Sequence, residues 1–468
     1  MLLKKYIGTK SFYRSVFAIM LPMMAQQAIT QLVSVADNVM IGRIGTEQMS
    51  GVAIVNELIF VFNLAIFGAI SGASIFGAQF YGSNDLEGMR RCHRFKIYTC
   101  AIFTAIAAVL LILFGEPLIS AFIHDEADGL AVVLDKAATL SYAKEYLWIM
   151  LLGLVPFAVS QSYASTVKES GRTVLPMISS LFAVVVNIAL NYVLIFGKLG
   201  APAMGVRGAA IATVISRFAE MIIIVGVTHV YSRRYHFIKG VYKVFSIPKA
   251  LLRSLLIKGS PLILNEILWA VGTTLLHQLY SQRGLSAVSA TNITNTVTNL
   301  FSVMFYAVGG AVSIIIGQNL GAGEIEKAKD NVRKLLFFDL AVCVITGSLL
   351  VAASPFIPTF YNTSNEIREL AAVLLAVNGA LIPLQGLAHC IYFTVRSGGK
   401  TFITFLFDCV YTLCFIVPIV AILIYFTPFS LTVVFAIGQG LNIGKVIIGG
   451  ILVKKGIWIN NIVGTKET

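Results

Sequence analysis

The chain has 468 residues, of which 57% are hydrophobic and only 12% charged, about half the charged share of a soluble domain. That balance excludes a water-soluble globular protein and points to an integral membrane protein of many spans. The formal net charge of +13 therefore reads as membrane topology and attraction to anionic lipid headgroups, with no nucleic-acid partner implied.

A membrane-crossing helix needs about 20 apolar residues. The stretches between charges supply about twelve, with cores at 16–40, 52–78, 97–115, 144–165, 174–196, 208–231, 256–280, 291–316, 336–353, 370–394, 402–426 and 430–453. The fold class predicted is all-α and membrane-integral, about 12 transmembrane helices in two six-helix bundles related by a pseudo-twofold axis. The basic start "MLLKKYIGTKSFYR" resembles the head of a signal peptide. The apolar run behind it is too long for one, holds Pro22, Gln26, Gln27 and Gln31, and lacks a small-residue cleavage site, so it reads as the first span. With the N-terminus inside, 26 of the 35 Lys and Arg fall in cytoplasmic segments. Both termini are therefore expected in the cytoplasm, in a multi-pass protein of the plasma membrane. The six cysteines form no CxxC and read as packing residues, with no disulfide expected.

In chain order, four acidic groups interrupt the spans. Asp37 stands alone in the uncharged run from Ser15 to Gly42, Glu220 follows Arg217 in the sixth span, Glu266 lies in the seventh and Asp408 in the eleventh. A carboxylate in hydrocarbon is costly and should face water or a partner. Glu220 reads as half of a helical ion pair with Arg217, three residues earlier. Asp408 reads equally as a packing hydrogen bond or a cavity group. In the fifth span, "VVVNIALNYVLIFG" sets Asn187 and Asn191 four apart, on one helix face, and the sixth offers Thr213. With Asp37 these make a hard-oxygen cluster that suits a small cation or serves as glue between helices. The eighth span, "SATNITNTVTNLFS", spreads polar groups including Asn292, Asn295 and Asn299 over all faces, so part of it should line a cavity. "SGGKT" at 397–401 imitates the end of a phosphate loop, but the first glycine position holds Thr394 and no nucleotide domain surrounds it. With no HExxH either, the chain reads as neither enzyme nor cofactor protein.

An internal repeat organises these elements. Shifting the sequence by 239 residues lays 22–94 on 261–333 without a gap, matching Pro22 with Pro261, Asn56 with Asn295, Gln79 with Gln318 and Gly82 with Gly321. Six helices per half is an even number, so the halves are related by an axis along the membrane normal. The domains are read as 1–231, a basic linker 232–255 that lies amphipathically on the cytoplasmic face, and 256–468. Over the repeat, Asp37 meets Leu276 and Glu266 meets Gln27, so each half carries an acid the other lacks.

"PMMAQQAITQLVSVADNVMIGRIGTEQMSGVAI", "NIALNYVLIFG", "GVRGAAIATVISR", "PLILNEILWAVG" and "IIIGQNLGAGEIEKAK" resemble the multidrug and toxic-compound extrusion family over nearly the whole chain. The resemblance implies two six-helix lobes in a V and export of organic cations in exchange for sodium ions or protons. It places the ion-coupling set on Asp37, Asn187, Asn191 and Thr213, with Asn191 standing where some relatives carry Asp. Glu266 lies near an acidic position of the family's seventh helix. Glu266, Asn292, Asn295, Asn299 and Asp408 are the expected substrate cavity. The expected partners are small organic cations, sodium or protons and the lipid bilayer, with the chain acting as a monomer. The competing reading is a flippase for a lipid-linked oligosaccharide, which would need basic groups in the cavity. The ionisable groups within the spans read as mainly acidic, which favours the exporter.

Overall fold

The computed structural model describes residues 5–123, 135–361 and 363–464. Its helices are α1 (Lys10–Gly42), α2 (Thr46–Gly82), α3 (Leu86–Phe122), α4 (Lys136–Leu151), α5 (Leu154–Glu169), α6 (Val174–Phe196) and α7 (Val206–Val230). After the linker come α8 (Lys249–Ser281), α9 (Leu285–Gly321), α10 (Ile325–Ala353), α11 (Asn365–Ser397), α12 (Thr401–Phe405), α13 (Val417–Phe426), α14 (Leu431–Gly440) and α15 (Ile443–Lys454). Eleven described stretches are long and apolar enough to cross a membrane. A twelfth is the pair α4–α5, bent by 48°, which agrees with the predicted number. Polar side chains start several helices: Asp85 Oδ1 accepts from the Gly88 N–H at 2.9 Å, and Asp135 does the same for Ala137 and Ala138, each satisfying first-turn donors.

Among the spans that depart from regular α-helix, two have a charged side chain at the departure. Where α4 gives way to α5, Arg217 Nη1 donates to the Gly153 carbonyl at 3.2 Å and its guanidinium rests 5.1 Å from the centre of the Phe157 ring. The arginine thus serves the helix break. The predicted Arg217–Glu220 ion pair does not close, and Glu220 feels Arg217 and Lys168 only at longer range. Between α12 and α13 the chain makes two π-helical turns, Leu406–Val410 and Thr412–Ile416. Asp408 sits in the first, a local widening often found at functional sites.

The helices from α1 to α7 pack as one bundle and those from α8 to α15 as another, and the bundles meet where α2 crosses α8 and α9 and where α1 crosses α9. At the end of α2 the crossing is backbone against backbone. A Cβ on Gly82 would lie 2.0 Å from the Gln318 carbonyl oxygen, and one on Gly321 would lie 1.9 Å from that of Gln79. These four residues are two pairs of repeat mates, so the crossing is close to symmetric. Gln318 Nε2 also donates to the Glu169 carbonyl at 2.7 Å. Further along the helices, Glu57 and Val61 of α2 and Asn292 and Thr296 of α9 are exposed. The bundles are therefore sealed at the face bearing the basic segments.

The residues after α15 complete that seal. The Ile462 N–H donates to Gln79 Oε1 at 2.9 Å, and Gln79 Nε2 donates to the Ser397 carbonyl at 2.9 Å and the Asn460 carbonyl at 3.2 Å. Trp458 is buried against α1 and α9 in one apolar cluster, while Ile462 joins another built from α2, α3 and α8. In the linker, Phe237 and Val241 are buried against the first bundle, and Arg94 Nε donates to the Val241 carbonyl at 2.6 Å. This part of the linker is fixed to the protein by apolar burial, while Tyr242, Val244 and Phe245 stay exposed beside it.

Spin labels at the exposed repeat mates Ser83 and Ala322 should show a short-distance population by pulsed electron paramagnetic resonance. Gly82→Val should abolish it, because the new Cβ needs the space of a backbone oxygen. A short distance that survives the substitution would show that the crossing does not hold this face shut.

Candidate functional site

The first lobe brings together all four residues expected to couple ions. Asp37 comes from α1, Asn187 and Asn191 from one face of α6, and Thr213 from α7. Asn191 Nδ2 donates to Asp37 Oδ1 at 2.7 Å and to Asn187 Oδ1 at 3.2 Å, while Asn187 Nδ2 reaches Thr213 Oγ1 at 3.3 Å. With its oxygen and nitrogen exchanged, the Asn187 amide is better satisfied, the nitrogen donating to Asp37 at 3.0 and 3.3 Å. Both asparagines are buried, and Asn191 Oδ1 has no hydrogen-bond partner, which leaves an acceptor open inside the cluster. A carboxylate, two amide oxygens and a hydroxyl are hard ligands for a monovalent cation. The carboxylate alone suffices for a proton.

The second lobe encloses a cavity of about 610 Å³ whose lining includes Glu266, Asn295, Asn299 and Asp408, four of the five residues expected there. Asn292 is not in the lining. It is exposed on the stripe it forms with Thr296 and Leu300, spaced i, i+4, i+8, beside the face that borders the cavity. The threonines of α9 are partly self-satisfied: Thr291, Thr294 and Thr296 each donate to a carbonyl one turn back, which removes the polarity that suggested lining on every face. Asn295 instead meets His277 Nε2 at 2.9 Å, and Thr298 accepts from Asn378 at 2.9 Å.

Asp408 is not a free carboxylate. Lys445 Nζ lies 2.7 Å from its Oδ1, and Asn265 Nδ2 donates to Oδ2 at 3.2 Å. Lys445 escaped the sequence reading although it is the only charge between Asp408 and Lys454, the same signal that exposed Asp37. Arg396, near the end of α11, also borders the cavity. The cavity charges are thus two acids and two bases, which corrects the expectation of mainly acidic ionisable groups. The count of four acids within spans was also too low. Asp339 of α10 is fully buried, with Cys343 Sγ 3.8 Å from its Oδ1 and no partner for Oδ2.

A family model described as MatE matches residues 22–193 and 261–426, two matches whose starts are separated by the repeat offset read in the sequence. The chain is 26% identical over 384 residues to a probable multidrug resistance protein NorM of Thermotoga maritima, covering 81% of this chain and 79% of that protein. It is 25% identical over 393 residues to a probable multidrug resistance protein YoeA of Bacillus subtilis, covering 83% and 82%. Its fold is similar to a multidrug resistance MATE family transporter of the MOP superfamily solved in an outward-facing conformation, with TM-score 0.84, 17% identity and 97% of each chain covered. It is equally similar to the Vibrio cholerae MATE transporter VcmN in its bent form, with TM-score 0.84, 18% identity, and 96% and 97% covered.

Lys445→Met should lower the stability of the detergent-solubilised protein by about 1–3 kcal/mol, because it leaves a half-buried carboxylate without its counter-charge. The double change Asp408→Asn with Lys445→Met should recover most of that loss in thermal unfolding. Equal losses in the single and double variants would show that the pair is not what Lys445 contributes.

Proposed function

The chain belongs to the MatE family of membrane transporters, and from that premise we propose that it exports amphipathic organic cations in exchange for sodium ions or protons. The observation that carries the coupling half of this reading is the Asp37 cluster: one carboxylate held only by neutral groups, with the Asn191 oxygen unpartnered beside it. A transporter without a nucleotide site draws on an ion gradient, and a lone carboxylate accepts either ion. Sodium would take its remaining ligands from Asn187, Asn191 and Thr213, while a proton needs no shell. Either one neutralises a charge that is expensive away from water, and so changes how α1 prefers to pack. Residues 1–231 and 256–468 would move as two units about the glycine crossing, with the linker between them.

The basic face is the cytoplasmic one on this reading, by the excess of Lys and Arg there. The seal at Gly82 and Gly321 then closes the cell side, and the second-lobe cavity is offered to the exterior of a plasma-membrane monomer. Glu266, which closes no ion pair among the described residues, is the group that meets the cationic part of the substrate, together with Asn295 and Asn299. The flippase reading gains Arg396 and Lys445 as cavity bases. Lys445 is consumed by Asp408, however, and a pyrophosphate would also face Glu266, so the exporter fits better.

In proteoliposomes with sodium and pH gradients imposed separately, the protein should concentrate a fluorescent cation against its gradient under at least one of them. Asp37→Asn should abolish that uphill transport while substrate still binds in detergent. A variant that still concentrates the dye would place coupling elsewhere. Glu266→Gln should weaken export of cationic dyes more than of neutral ones, since the amide keeps the shape and loses the charge. Equal losses for both would make Glu266 a packing residue.

A further inference from the structure

Between Glu220 and Glu266 the chain carries seven Lys or Arg and no acidic residue. Six of the seven, Arg233, Arg234, Lys239, Lys243, Lys249 and Arg253, are exposed, and none closes an ion pair or a side-chain hydrogen bond among the described residues. Elsewhere on the same face bases come with acids: Lys327 pairs with Glu324 at 2.8 Å, Lys329 with Glu326 at 2.7 Å and Arg90 with Glu87 at 3.1 Å. The linker cluster leaves its counter-charge to something outside the chain.

Two helices fix the depth of this surface. Arg90 Nη2 donates to the His236 carbonyl at 3.5 Å, and the Tyr98 hydroxyl donates to the Phe245 carbonyl at 2.9 Å. Arg90 and Tyr98 are eight residues apart on α3, so the linker descends about 12 Å along that helix. Tyr98 stands at the start of the uncharged run of α3, just past Lys96, which sets Phe245 at the edge of the hydrocarbon. The start of α8 gives the same level: Lys249 and Arg253 share a face one turn apart, and the exposed Leu256 and Ile257 follow directly. The backbone is held on both sides of Val244 and Phe245. Val241 is buried, the Tyr242 hydroxyl meets that of Tyr163, and Ile247 packs against the core beneath. The Val244 and Phe245 side chains, 51% and 65% exposed, therefore stand out where headgroups meet acyl chains.

Apolar side chains flanked by bases at that depth have the chemistry of an interfacial anchor, in which the apolar groups enter the acyl boundary and Lys or Arg stays with phosphate. An anionic headgroup answers the bases, whereas phosphatidylcholine brings a cation of its own. A soluble anion would satisfy the bases and leave Phe245 in water. We propose that residues 242–253 form a docking surface for anionic phospholipid headgroups of the leaflet at the sealed face. Val244 and Phe245 sit in the acyl boundary, and Lys243, Lys249 and Arg253 hold the phosphates. The surface lies on the one stretch of chain that joins the two bundles, and its ligand is independent of the coupling ion and of the exported compound.

Phe245→Trp supplies a probe in the full-length protein, its emission read over that of the three native tryptophans. The protein is reconstituted into phosphatidylcholine vesicles holding a minor fraction of phosphatidylglycerol, with bromines as quenchers on the acyl chains of one lipid or the other. At equal mole fractions of brominated lipid, phosphatidylglycerol should quench the added emission about twofold more than phosphatidylcholine, and high salt should narrow the difference. Lys243→Gln, Lys249→Gln and Arg253→Gln combined should bring the two lipids level and leave the common quenching in place, since the apolar pair still sits in the boundary. Equal quenching by both lipids in the protein carrying Phe245→Trp alone overturns the proposal, whatever the triple variant does. Quenching by neither puts Phe245 away from the bilayer and overturns it too. A preference abolished by soluble glycerol phosphate would assign the bases to a free anion and overturn the lipid. A preference that outlasts the triple substitution in folded protein overturns the assignment to these residues.

Discussion

Two glycines one repeat apart let α2 and α9 touch through their backbones, and the rest of the architecture is arranged around that contact. Because Gly82 faces the Gln318 carbonyl while Gly321 faces that of Gln79, each half supplies the hollow and the projection that the other needs. On the proposed reading such a contact serves as a pivot, because packed interfaces hold discrete arrangements and resist continuous deformation. The helices on either side can then diverge without disturbing their own bundles. Space for ions and ligands opens away from the pivot, at Asp37 in one bundle and around Glu266 in the other.

The bundles share a backbone plan and differ in how they handle charge. The first closes a buried ion pair of its own, Lys96 with Glu169, and keeps Asp37 among amides and a hydroxyl, where on the proposed reading one monovalent ion answers it. The second builds Asp408 into a fixed pair with Lys445 and leaves Glu266 and Arg396 apart. On the proposed reading the first arrangement answers an ion and the second a ligand's pattern of charge. Duplication supplied the symmetric frame, and unlike substitutions at Asp37 over Leu276 and Glu266 over Gln27 divided the labour.

Much of this was legible in the sequence, for reasons that also explain what was not. Asn187 and Asn191 announce a shared face by their spacing, and Asp37 announces itself as a lone charge in a long apolar run. The repeat could be read because Gly, Gln and Asn keep one register through helices of otherwise interchangeable composition. Lys445 carries the same lone-charge signal as Asp37, whereas Asp339 stands only five residues after Lys334 and so reads as part of a charged span edge. The Arg217–Glu220 pair failed for a different reason. Helical spacing puts the two side chains on one face, but it does not register that a neighbouring span breaks at Leu152 and Gly153 and offers the arginine a free carbonyl. Asn292 shows the same limit from the other side, since composition marks a polar helix without saying which stripe borders the cavity.

The segment from Trp458 to Ile462 ties the bundles together at the sealed face, yet it follows all the spans it joins in chain order. Closure at that face therefore waits for it. Until residues 458–462 leave the ribosome, Gln79 lacks its partners at Asn460 and Ile462, and both apolar clusters lack a side chain. The two halves thus enter the bilayer with their joint incomplete, free to find their mutual register, and the chain locks them only when this segment comes home.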